Sequence, residues 1–121
     1  MEKIRFIGGL FALFSVVLGA FASHLFKKLI DESSLQSFEV GIRYLMFHGL
    51  ALILLSTIPI EGKKVIFRLF TWGSILFSFS IFFLSLQSLI KINLKWLGPI
   101  TPLGGTLLII GWIIFTINSL K

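Results

Sequence analysis

Charged side chains cut this chain into four long apolar stretches. Phe6 to Phe26 runs 21 residues without a formal charge, Tyr44 to Ile60 17, Leu69 to Ile90 22 and Trp96 to Leu120 25, together 85 of the 121 residues. A helix needs about 20 residues to cross a hydrocarbon core of about 30 Å. Strands of a membrane barrel would need only about 10, with alternating polarity, and these runs do not alternate. In lipid the backbone must bond to itself, so each run is expected to be a helix. The pattern predicts an all-α, transmembrane four-helix bundle of up-down topology, both termini on the same side. It is one integral membrane domain over residues 1–121, with helices near 4–26, 34–59, 66–90 and 97–120.

Composition agrees. Apolar residues make up 56%, charged residues 13%, and mean hydropathy is +1.01, so neither a disordered chain nor a water-soluble domain fits. The absence of cysteine excludes disulfides, thiol nucleophiles and thiolate-bound metals. The net charge of +6 is expected at headgroup level, where anionic lipid accounts for it better than nucleic acid does. Lys3, Arg5 and Ala20-Phe21-Ala22 imitate a secretory signal, but the apolar run exceeds a usual h-region, so it is expected to remain as the first helix.

The links carry their own signals. Ser33-Ser34-Leu35-Gln36 has the spacing of a capping box, and Leu35, Phe38, Ile42 and Leu45 then share one helical face. The second helix is therefore expected to begin near Ser34, partly in the interface, and to run to about Ile58 before Pro59 breaks it. Glu61-Gly62-Lys63-Lys64 forms a polar turn, and Trp96 follows the third link as an interface anchor. Six basic residues fall on the side of the termini and five on the other. Lys3 and Arg5 precede the first helix and set the expected orientation: a multi-pass protein of the plasma or inner membrane, termini cytoplasmic.

Helices in lipid associate by close approach and polar contact. Gly8 with Ala12, and Ser15, Gly19 and Ser23, mark candidate seams on the first helix. Ser74, Ser78, Ser85 and Ser88 mark one on the third, and Gly104, Gly105 and Gly111 one on the fourth. They read as contacts within the bundle, although a homo-oligomer would use the same residue types.

Two histidines lie inside apolar runs. Measured from the run ends, His24, His48 and Thr101 fall at one level near the non-cytoplasmic face, with Tyr44 one turn from His48. A pocket lined by His24, Tyr44, His48 and Thr101, taking a lipid or small amphipathic molecule, is one reading, because intramembrane ionisable groups often mark sites. The other is structural: neutral imidazoles bonded to neighbouring helices, since an unpaired buried polar group costs about 1–3 kcal/mol. Gln87 projects away from the serine face, alongside Ser80, and is a weaker member of the group. Two histidines with no acid inside any run are too few ligands for zinc, so no metal is expected. Ser23 and His24 are neighbours that point about 100° apart on a helix, and no nucleophile elbow, phosphate loop or dinucleotide fingerprint is present. No cofactor and no catalytic residue is expected.

These residues also resemble a known family, the small bacterial membrane proteins of domain-of-unknown-function family 423. Gly19-Ala20-Phe21-Ala22-Ser23-His24 is similar to the family's Gly-Ala-Phe-Gly-Ala-His motif, and Tyr44 with His48 to its Tyr-x-x-x-His element. Thr101-Pro102-Leu103-Gly104-Gly105 and Gly111-Trp112 match its Thr-Pro-x-Gly-Gly and Gly-Trp elements. Phe77-Ser78-Phe79-Ser80 sits where the family has Phe-Ser-Gly-Ser, with Phe79 in place of glycine; Phe82 stands where tyrosine is usual. Ala22 and Ser23 replace glycine and alanine. The resemblance implies a four-helix inner- or plasma-membrane protein in which both histidines belong to the pattern, and it carries no activity.

Three functions compete: a non-enzymatic binder of a lipid or amphiphile, with transport if it oligomerises; a structural or accessory subunit; and an intramembrane enzyme using histidine as acid or base, for which no acid partner is visible. Membrane lipids are the expected partners. His48→Ala is predicted to disturb folding or function more than Lys63→Ala, because one is deep and the other solvated. Thermal unfolding of both variants checks this, and equal losses would contradict it.

Overall fold

The computed structural model describes residues 1–121 and contains helices and turns only. Four rods are long and apolar enough to cross a membrane: α1 (Glu2–Leu29), α2 (Glu32–Leu55), α3 (Lys63–Ile90) and α4 (Lys95–Asn118). The first three begin about two or three residues before the charge pattern places them: the acidic Glu2 and Glu32 suit the first turns of α1 and α2, and α3 starts at Lys63 directly after the Gly62 turn. α4 opens with a short 3₁₀ turn, Lys95–Leu97, before the regular helix Ile100–Asn118.

The cap of α2 differs from the capping-box expectation. Asp31, in extended conformation, accepts the Ser34 amide at 2.8 Å, so the helix starts at Glu32 and Ser33 lies within its first turn. Ser34, through its hydroxyl and its amide, holds the Asp31 carboxyl below the usual carboxylate value. The helix also stops earlier than expected, at Leu55, followed by the turn that carries Pro59. Gly62, at φ 73°, begins α3 from a left-handed conformation that favours glycine.

α1 lies against α2, α4 against α3, and α2 and α3 meet in the middle. Both termini sit at one end with the second link. There Lys121 reaches Glu61 at 3.3 Å, and Asn118 donates to the Glu61 carbonyl at 2.8 Å. α1 and α3 each contain a π-helical turn, Ala22–Phe26 and Ile75–Phe79.

The exterior is far more apolar than that of a protein in water. Only 24 of 121 residues are buried, eleven apolar ones, six glycines, six serines and a histidine, while Leu13, Val16, Phe47, Leu54, Trp72, Ile109 and Ile113 face outward. An apolar surface this extensive belongs in lipid. The seams are close crossings. A Cβ on Gly8 would sit 2.6 Å from the Gly49 carbonyl oxygen. One on Gly104 would strike the Phe77 amide and lie 2.9 Å from the Gly73 carbonyl oxygen. Gly8, Ser15, Ser74, Ser78, Ser85, Gly104 and Gly111 are buried as the small-residue pattern implied, whereas Ser23 and Ser88 are exposed. Gly41 is a further close approach, against the Phe82 ring.

Gly49→Ala and Gly104→Ala are each predicted to destabilise the bundle by about 1–3 kcal/mol, the scale of overpacking a tight site. Gly9→Ala, where a Cβ meets open space, should change little. Unfolding midpoints in SDS titration measure the difference, and similar midpoints for all three would contradict the crossings.

Candidate functional site

His48 is 4% exposed, on the inward flank of α2. Its Nδ1 lies 2.7 Å from the Tyr44 carbonyl oxygen one turn earlier, and its Nε2 lies 3.0 Å from Nε1 of Trp112 on α4. An indole N–H can only donate and a carbonyl can only accept. The imidazole is therefore the neutral tautomer with its proton on Nδ1, and both nitrogens are engaged. Phe70 packs edge-on to the imidazole at 5.3 Å and against Trp112 at 4.7 Å. The Tyr44 ring stacks beside His48 at 6.2 Å and meets Phe77 at 5.0 Å.

This ring of side chains frames a hollow of about 270 Å³ between α2 and α4, completed by Gly105, Leu108 and Ile109. Thr101 belongs to a second, wider hollow of about 400 Å³. Ser33, Ser34 and Ser37 of α2 line it, with Ile81, Leu84 and Ser85 of α3 and Gly98 and Pro102 beside Thr101. The two share no lining residue but follow one another along the same three helices: Phe77 and Ile81 are one turn apart on α3, Thr101 and Gly105 one turn apart on α4, and Ser37 and Tyr44 two turns apart on α2.

The wider hollow, near the first and third links, is lined with hydroxyls, and the smaller one, farther in, is aromatic and aliphatic. Ser80 joins the wider one indirectly. Its hydroxyl donates to the Phe77 carbonyl at 2.9 Å, so the 2.5 Å contact with Thr101 is donated by Thr101, whose oxygen remains free to accept. Ser78 crosses to α2, donating to the Gly41 carbonyl at 2.9 Å. The hydroxyls of Thr71, Ser74 and Ser85 are buried without partners.

The common level expected for His24, His48 and Thr101 is corrected. The charge-free run begins at Tyr44, but α2 begins at Glu32, with Glu39 and Arg43 exposed within it. His48 is sixteen residues into α2, about 24 Å along its axis, and bonds Trp112, eleven residues or about 16 Å beyond Thr101 on α4. The end of α1 is fixed beside α2 by Phe26 packing on Phe38 at 5.3 Å, ten residues or about 15 Å from His48. His24 is exposed in the π-helical turn of α1 and lines neither hollow. The structure thus brings Tyr44 and His48 together, sets Thr101 in the adjoining hollow, and leaves His24 apart. Gln87 is occupied elsewhere, its Oε1 accepting the Leu94 amide at 3.0 Å across the third link.

Trp112, Ser37 and Ser85 were not singled out as site residues from sequence. Trp112 was within reach: Thr101, Gly105, Leu108 and Trp112 recur at helical spacing on one face.

A bundle of four helices, each long and apolar enough to cross a membrane, with a broadly apolar exterior, defines an integral membrane protein. Over residues 18–105 the chain matches the family model described as "Protein of unknown function (DUF423)", and it belongs to that family. It is similar to a UPF0382 membrane protein of Staphylococcus aureus (strain bovine RF122 / ET3-1), 38% identical over all of this chain and 98% of the relative. A UPF0382 membrane protein of Schizosaccharomyces pombe is 40% identical over 88% of this chain and 92% of its own. UPF0382 membrane protein YwdK of Bacillus subtilis is 32% identical over 100% and 98%. No solved structure matches the chain.

Trp112→Phe is predicted to destabilise the bundle by about 1–2 kcal/mol, because it leaves Nε2 of a buried imidazole without a donor. His48→Leu combined with Trp112→Phe should be less damaging than the two single losses added. SDS unfolding of the four proteins in this cycle measures the coupling, and strict additivity would contradict the bond.

Proposed function

We propose that this chain is a non-enzymatic membrane protein that binds a lipid or small amphipathic molecule lengthwise in the groove between α2 and α4. The polar part would lie among Thr101 and the serines, and the apolar part against Tyr44, Phe77 and Trp112. The carrying observation is the change of lining between two neighbouring hollows on the same three helices, from hydroxyl side chains in one to aromatic and aliphatic ones in the other. Small-molecule sites pair such apolar walls with a few placed polar groups.

A binding role is favoured over acid–base chemistry because both nitrogens of His48 are already bonded. His48 then serves as a staple between α2 and α4 and as one wall of the groove. An accessory-subunit role is less well supported: the close glycine crossings are filled by the chain's own helices, so no partner is needed to explain them. Lys3 and Arg5 at the start of α1 favour cytoplasmic termini in a plasma or inner membrane. The wide hollow then opens toward the outer leaflet, with His24 exposed on α1.

Gly105→Leu tests the reading. A Cβ at Gly105 meets Phe77 only at ordinary contact, 3.5 Å, so the longer side chain should fill the hollow without breaking the fold. Native mass spectrometry from lipid nanodiscs should show bound lipid on the parent and at least about fivefold less on the variant, the equivalent of about 1 kcal/mol. Unchanged retention with an unchanged unfolding midpoint would overturn the proposal.

A further inference from the structure

Every polar side chain lining the wider hollow is a hydroxyl: Ser33, Ser34, Ser37, Ser85 and Thr101. No lysine, arginine, aspartate or glutamate lines it. The Ser85 hydroxyl is the informative member. Its residue is 4% exposed, and the oxygen has no hydrogen-bond partner although it is shut away from solvent. A buried orphan hydroxyl is unfavourable unless something supplies its bond. Thr101 offers an acceptor, since its proton is committed to Ser80.

The free amides at the start of α2 do not turn this into a phosphate site. Asp31 already caps them through Ser34, and Glu32 adds a second negative charge in the first turn. Nor does the lining suit a cation, which would need a free carboxylate or an open aromatic face. A charge placed in the hollow would find no opposite charge in its lining. Groups that both donate and accept are best answered by others of the same kind.

We propose that the hollow formed by Ser37, Ser85 and Thr101 holds an uncharged, hydroxyl-bearing lipid head, such as the sugar of a glycosyl diacylglycerol. This deepens the groove reading and rests on it. Ser85 supplies the buried donor, Thr101 an acceptor, and Ser33 and Ser37 a rim that hydrogen-bonds in either sense. The acyl chains continue past Ile81 into the aromatic hollow.

The test is native mass spectrometry of the full chain in phosphatidylcholine nanodiscs doped in turn with glucosyl diacylglycerol, phosphatidylglycerol or phosphatidylethanolamine. The uncharged glycolipid should be retained about fivefold over the other two, the scale of one net hydrogen bond. Ser85→Ala should abolish that preference while leaving the unfolding midpoint equal or higher, because it removes an unsatisfied group; a purely structural serine would not behave so. Ser37→Ala, on the exposed rim, should weaken the preference in a variant certain to fold. Asp31→Asn, which keeps a capping oxygen, combined with Glu32→Gln should admit more phosphatidylglycerol. Gly105→Leu runs in parallel. If retention of every lipid ignores Gly105→Leu, the groove reading fails. If retention depends on Gly105 but the three heads bind alike, or a charged head wins, the polyol assignment fails alone. A preference that survives Ser85→Ala also overturns it.

Discussion

The constraint on which this structure depends is the lack of water around most of the chain. Lipid offers neither a hydrogen bond to a polar group nor a hydrophobic reward for bringing two helices together. Backbones must therefore approach closely, and polar side chains must find partners inside the protein. Both consequences are visible. Glycines face carbonyl oxygens where α1 crosses α2 and α3 crosses α4. Ser15, Ser56 and Ser80 return their hydroxyls to their own helix, and Ser78 reaches across to α2. The His48–Trp112 bond ties α2 to α4, which otherwise make little direct contact.

That weak direct contact is what makes a groove. α3 lies beneath the gap, so its side chains become a floor: Phe77 where the walls are aromatic, Ser85 where they carry hydroxyls. The π-helical turn Ile75–Phe79 falls at the deeper part of that floor, and such turns are frequent where a helix must present side chains out of regular phase. The proposed binding reading rests on that succession of a hydroxyl-lined and an aromatic hollow.

Much of the fold was legible in the charge spacing, because charge is what lipid excludes most strongly. Four helices, their alternation and the shared side of the termini follow from it. Depth was not legible. A charge-free run is a poor ruler for α2, because Glu39 and Arg43 sit on an exposed flank of that helix, where long side chains can reach toward headgroups. The ruler therefore began twelve residues late, and His48 was placed at the rim instead of deep between α2 and α4. Most of the seam serines are buried as their spacing implies, Ser23 and Ser88 excepted, but spacing does not say which neighbour each meets. α3 packs on two flanks, so Ser78 turns to α2 and Ser80 to α4. Trp112 was passed over because a tryptophan in an apolar run looks like any other large side chain until its indole N–H finds a partner.

The account stands or falls on where a lipid lies against this bundle. A phospholipid carrying a photoactivatable diazirine in its acyl chain, irradiated with the protein in nanodiscs and mapped by peptide sequencing, reports that directly. Adducts concentrated on Tyr44, Phe77, Ile109 and Trp112 are the predicted result. An even belt of adducts over the outward faces, with Leu13, Val16, Trp72 and Ile113 labelled as heavily as the groove, would contradict it.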